Sequence, residues 1–136
     1  MNRIVIDTNC LLASVSRRGN YYAIWRAFQE GRFTLCVSNE ILQEYHEICT
    51  QKMPLHIANR IIEVILQAPN TKLITPYYRF NMIQADADDN KFVDCAIAAQ
   101  AHFVVTNDTH FDVLQQIPFP HVDIIHLDDF LRLLLL

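Results

Sequence analysis

Two rhythms of apolar residues alternate along this chain. Ile4 to Ile6 and Phe103 to Val105 are apolar at every position, and Phe33 to Val37 is interrupted only by Thr34. Short unbroken runs of this kind suit strands of a parallel sheet whose two faces are both covered. Between them the spacing becomes helical. Ile24, Trp25 and Phe28 predict a helix over Tyr21 to Glu30, closed by Gly31. Ser38 reads as the cap of a helix from Asn39 to about Gln51, with Ile41, Leu42, Tyr45, Ile48 and Cys49 on one side. Pro54 opens a further helix carrying Ile57, Ile61, Ile62, Ile65 and Leu66 as far as Pro69, after which KLIT is a short strand. An acidic loop leads into a helix with the apolar body Phe92 to Ala99, and Phe111 to Gln116 suits a short helix. VDIIHL reads as the last strand, and Asp128 as the cap of a leucine-rich terminal helix.

The order β-α-α-β-α-α-β-α-β-α-β-α predicts an α/β fold with a mainly parallel sheet, the first strand central between those ending at Val37 and Thr106. Ligands in such sheets bind outside the strand C-termini, where the winding reverses. The polar residues that break the apolar pattern converge on that place. Asp7 ends the first strand, and Asn107 and Asp108 follow the strand over residues 103–106. Glu44 lies about two turns into its helix, roughly 40° from the edge of the apolar arc, whereas Glu40 and Glu47 point further towards solvent. Asp94 is the one polar side chain in the body of its helix, where an uncompensated acid would cost several kcal/mol.

Carboxylates gathered in one crevice repel each other unless cations supply counter-charge. Magnesium and manganese are hard cations that take oxygen ligands, and in pairs they serve phosphodiester cleavage. No histidine pair has the spacing of a zinc hydrolase. The formal charge of −4 seems to speak against a nucleic-acid partner, but bound cations reverse the local sign, so net charge does not decide.

Length and composition narrow the picture further. The 136 residues are 51% hydrophobic with two glycines and no linker, which suits one domain over residues 1–136. Cys10, Cys36, Cys49 and Cys95 lie among apolar neighbours without Cys-x-x-Cys spacing, as reduced core thiols do. No apolar run approaches a membrane span, and the chain enters a strand at once without a signal-type leader, so the expected setting is soluble and cytoplasmic.

DTN after an initial strand, an acid in the helix after the second strand, DDNKFVDCAIAA and then VVTND together resemble the PIN-domain ribonucleases, and most of all the PIN toxins of prokaryotic toxin-antitoxin pairs. The resemblance runs through essentially the whole chain in order. It implies a three-layer sandwich with a mainly parallel central sheet flanked by helices. It also implies magnesium or manganese held by Asp7, Glu44, Asp94 and Asp108, with Thr8 and Asn9 shaping the site and Asn107 orienting Asp108 or a phosphate. Single-stranded RNA as substrate, cleaved to a 3′-hydroxyl and a 5′-phosphate, and a cognate antitoxin as partner follow from it too. Many members carry a further acid two residues after the position of Asp108, where this chain has His110. That leaves the second metal open, with Asp112 as a substitute ligand.

Plainer readings stand beside these. Asp7 reads equally well as a helix cap, and Glu44 as a surface glutamate. Asp86, Asp88 and Asp89 suit a solvated loop with Asp88 or Asp89 capping the helix, and are left outside the catalytic set. Arg17, Arg18, Arg26 and Arg32 are candidates to hold phosphates at the crevice mouth, with solvated surface as the default. The LRLLLL tail suits core packing or a homo-oligomeric contact. The rival functions are a PIN-like module that binds RNA or a protein partner without cutting, and a phospho-acceptor domain using Asp7, which lacks the expected lysine.

Overall fold

The computed structural model describes every residue from Met1 to Leu136. Five strands, β1 (Arg3–Ile6), β2 (Thr34–Val37), β3 (Thr71–Leu73), β4 (Phe103–Val105) and β5 (Ile124–Ile125), form one sheet in the order β3-β2-β1-β4-β5. Every pairing is parallel, and Ile4 meets Leu35 on one side and Phe103 on the other. The first strand is therefore central, as its unbroken apolar run predicts. Ile4, Val5 and Ile6 are at most 2% exposed.

The helices are α1 (Thr8–Val15), α2 (Tyr22–Gln29), α3 (Asn39–Lys52), α4 (Leu55–Gln67), α5 (Asn90–Ala99) and α6 (Leu127–Leu135), with 3-10 turns at Ala87–Asp89 and Thr109–Gln116. Right-handed crossovers lay α1 to α4 on one face as the chain winds out from β1 to β3, and put α5 on the other as it returns to β4. Accordingly α1 packs on α2 and α3, whereas α5 lies across β1, β2 and β4. The result is the expected three-layer α/β sandwich, its sheet parallel throughout.

The boundaries have local causes. Gly31 ends α2 with φ at 77°, a conformation that any side chain would strain. Ser38 caps α3 by accepting the Ile41 amide at 3.2 Å. Several boundaries differ from the sequence reading: KLIT gives way to Thr71–Leu73, VDIIHL shortens to Ile124–Ile125, Asp89 precedes α5 without a side-chain cap bond, and His126 precedes α6, with Asp128 in its first turn accepting from the Tyr21 hydroxyl. Phe33 meets Phe130 edge-on at 5.2 Å and Phe28 at 5.9 Å, locking α2, β2 and α6 together. All four cysteines are buried and free, and within the terminal run Leu134 is buried while Leu133, Leu135 and Leu136 are exposed.

The crevice at the strand C-termini gathers the N-terminal ends of α1, α3 and α5. Wholly buried Tyr45 of α3 donates its hydroxyl to the Ile6 carbonyl, fixing that helix to the end of β1.

Candidate metal centre

Asp7 follows β1 directly, and its own amide donates to the Val105 carbonyl, so the strand pairing fixes its backbone. One carboxylate oxygen accepts the Cys10 amide at 2.8 Å, which makes Asp7 the cap of α1. The other accepts the Thr106 hydroxyl. Thr106 is completely buried and also accepts the Asp108 amide at 3.0 Å. A single hydroxyl thus joins the ends of β1 and β4. Asp7 is capping residue and site residue at once.

Asp108 accepts the His110 amide at 2.9 Å. The His110 ring stands 3.5 Å from Asp108 and 3.6 Å from Asp89, and with Asp86 and Asp89 it forms a group whose potential ligand atoms lie within 4.8 Å of one another. One Asp89 oxygen is buried without a hydrogen-bond partner. Burial above all, and then the charges of Asp108 and Asp86, push the Asp89 carboxyl up to about 6. Asp7 is raised as well, by burial first, with its two hydrogen bonds opposing and Asp108 adding repulsion. Glu44 lies on the α3 side, where it accepts the Thr8 hydroxyl and, at 2.6 Å, the Lys91 ammonium.

Asp7 and Asp108 therefore share the Thr106 hydroxyl at the C-terminal edge, and Glu44 reaches that edge through Thr8, the neighbour of Asp7. Asp94 accepts the Phe80 amide at 3.1 Å, and the charges acting on it are those of Arg79 and of Glu40, one turn before Glu44 on α3. Burial raises its carboxyl, while the Phe80 amide and Arg79 oppose the rise. The acid that α5 presents to Asp108 is Asp89, which the sequence reading left in a solvated loop. Its position immediately before the first residue of α5 was the available signal.

The supporting residues divide too. Thr8 is buried against Glu44, whereas Asn9 is exposed. Asn107 accepts the Leu127 amide on its side-chain oxygen at 2.9 Å, tying the end of β4 to α6. Asp112 is exposed. Arg32 donates to the Leu134 carbonyl near the start of β2, at the far edge of the sheet, and Arg17 lines a groove beside α1. The basic groups at the acids are instead Lys91 and Arg79.

The family profile described as PIN domain matches residues 3–110. The chain belongs to the PIN domain family. Solved structures share the fold of this PIN domain at low identity. VapBC2 from Rickettsia felis, bound to a DNA fragment from their promoter, matches with a TM-score of 0.62 at 16% identity, covering 91% of this chain and 98% of that one. VapBC-1 from nontypeable Haemophilus influenzae gives 0.58 at 11%, over 93% and 98%. The PIN domain endonuclease Utp24 gives 0.52 at 18%, over 91% and 84%. Among curated proteins nothing matches significantly.

The donor set of this PIN domain fits a hard divalent cation. The atoms available are carboxylate oxygens and one imidazole, the Asp89 oxygen lacks a partner, and burial together with mutual repulsion raises Asp7 and Asp89. A cation would relieve all three conditions.

Proposed function

We propose that this PIN domain is a metal-dependent endoribonuclease that cuts single-stranded RNA, leaving a 3′-hydroxyl and a 5′-phosphate, and that it is the toxin of a toxin-antitoxin pair. The observation that carries this reading is the junction of Asp7, Thr106 and Asp108 beside the unpartnered Asp89 oxygen. In this reading Asp7, Asp89 and Asp108 hold magnesium or manganese. Glu44 bounds the site on the α3 side, and His110 stands among the acids. Such cations activate a water and stabilise a leaving oxygen in phosphodiester hydrolysis.

The chain's own groups supply the rest. Cys10 and Thr106 hold the Asp7 carboxylate in one orientation, so it need not reorganise to bind. Lys91 stands beside Glu44 at the edge of the site, where its ammonium can meet a phosphate oxygen. Asp94 stays outside the ligand set in this reading, as the anchor of the segment before α5.

An antitoxin partner is supported by a groove of about 960 Å³ beside α1, α2 and α4, lined by Leu12, Trp25 and Ile61 together with Arg17, Lys52 and Arg60 and by no acid. An acidic amphipathic segment suits it. No helix is long and apolar enough to cross a membrane, and the cytoplasm is the proposed setting.

The test is cleavage of labelled single-stranded RNA with manganese, with EDTA, and with the Asp7→Asn variant. Manganese-dependent cutting lost in both controls is the expected result. A folded protein that binds RNA but cuts none under any metal would replace this reading with that of a binding module.

A further inference from the structure

Residues 74–83 connect β3 to α5 without forming either helix or strand. Both ends are held at the C-terminal edge of the sheet. The Ile74 amide donates to the Val37 carbonyl at 2.7 Å, and the buried Asn90 side chain brackets Ile83, accepting its amide and donating to its carbonyl, both at 2.8 Å. Between these ties the Phe80 amide binds Asp94, and Arg79 donates to Glu40 at 2.8 Å. Four attachments hold the segment in a defined path.

On this fixed backbone the aromatic rings face outwards. Tyr77 is 88% exposed and Tyr78 75%, and the Tyr78 ring lies 6.2 Å from that of Phe80. Core packing does not account for them. Their neighbour Arg79 ties the segment to the α3 side of the site: it holds Glu40, four residues and about 6 Å along the helix before Glu44. Arg79 remains more than half exposed, with donors to spare for a phosphate. Exposed aromatic faces interleaved with a cation beside a carboxylate site match the way unpaired bases are held, since every base offers a π-face and a stacked duplex hides it.

Resting on the nuclease reading, we propose that Tyr77 and Tyr78 form a stacking platform for unpaired bases of the RNA strand at the acid site, and that this platform makes the protein select single strands over duplex. The two rings act by position alone and take no part in the chemistry. Their contribution is affinity for flanking nucleotides and exclusion of strands whose bases are already paired.

The test uses the full chain in EDTA, where nothing is cut. Fluorescence anisotropy measures binding of a short labelled single-stranded RNA and of the blunt duplex of the same sequence. Tyr77→Ala/Tyr78→Ala should weaken single-strand binding about tenfold or more and leave duplex binding unchanged. Tyr77→Phe/Tyr78→Phe should retain the native affinity. Circular dichroism confirms that both variants fold. An alanine variant that binds single strands as well as the native protein, or loses both forms equally, overturns the proposal, as does a native protein that binds no RNA. Unchanged RNA binding with altered sedimentation would assign the rings to a second copy of the chain, and likewise overturns it. Ring-dependent binding without cleavage in manganese would sink the nuclease reading alone, whereas cleavage with ring-independent binding would sink this proposal alone.

Discussion

Replacing Asp89 by Asn tests whether the acids at the strand ends work against the fold when no cation is bound. Asp89 precedes α5 without making a side-chain cap, one of its oxygens has no partner, and its side chain is only 16% exposed. Asn therefore gives up only the long approach of the His110 ring at 3.6 Å, which opposes the rise. Burial, then Asp108 and Asp86, raise the carboxyl from 3.8 to about 6, a preference for the neutral form worth roughly 3 kcal/mol. A carboxyl raised on folding holds its proton more tightly in the fold than in the unfolded chain. Below about pH 3 it is neutral in both states and costs nothing. As pH climbs from about 4 to about 6 the unfolded chain ionises first and stability is lost. Above that window the full penalty of roughly 3 kcal/mol is present. In urea unfolding with EDTA at about pH 8, Asp89→Asn should exceed the native protein by roughly 2–3 kcal/mol, and at about pH 3 the two should coincide. Manganese at a hundredfold excess over its Kd should return roughly 3 kcal/mol to the native protein and much less to the variant. A variant no more stable at pH 8, or equally favoured at both pH values, would refute the reasoning.

Other substitutions probe the rest of the site. Asp7→Asn keeps an oxygen to cap α1 and should fold normally, yet cut RNA at least about a hundredfold more slowly, because a ligand set is lost as a unit; activity near the native rate would remove Asp7 from the centre. His110→Asp adds a hard oxygen ligand within reach of Asp89 and Asp108. It should lower the manganese concentration that gives half-maximal cleavage, and an unchanged or higher requirement would show that position 110 does not serve the cation. Tyr45→Phe leaves the buried Ile6 carbonyl without its donor and should cost roughly 1–3 kcal/mol in chemical denaturation; no loss would mean that α3 is fixed to β1 by packing alone.

The three central strands and their order were legible because a sheet covered on both faces demands apolar residues along its strands, as in β1, β2 and β4, whereas the sequence reading did not place β3 and β5 in the sheet. Glu44 could be found from its angle to an apolar arc. Asp94 was rightly marked as an acid needing compensation, but the compensation is the Phe80 amide, which comes from a segment with no periodicity to read. The same lack of period hid Tyr77 and Tyr78. Asp89 was obscured by its neighbours: in ADADDN several carboxylates look alike, and only the onset of the α5 turn decides which one faces Asp108. Lys91 passed unnoticed because the partner it needs is 47 residues away.

The hydroxyl that joins Asp7 to Asp108 spans 99 residues of sequence, and this bears on the order in which the protein is made. During synthesis β1 emerges first but has only β2 to pair with, and its other neighbour is β4. Until Phe103 to Val105 leave the ribosome, one side of the central strand has no partner and Asp7 has neither Thr106 nor Asp108 beside it. Closing such a distant contact comes late, after the local helices have formed. A nascent chain therefore carries its acids apart, and the capacity to act on nucleic acid arrives only when translation of the domain is almost finished.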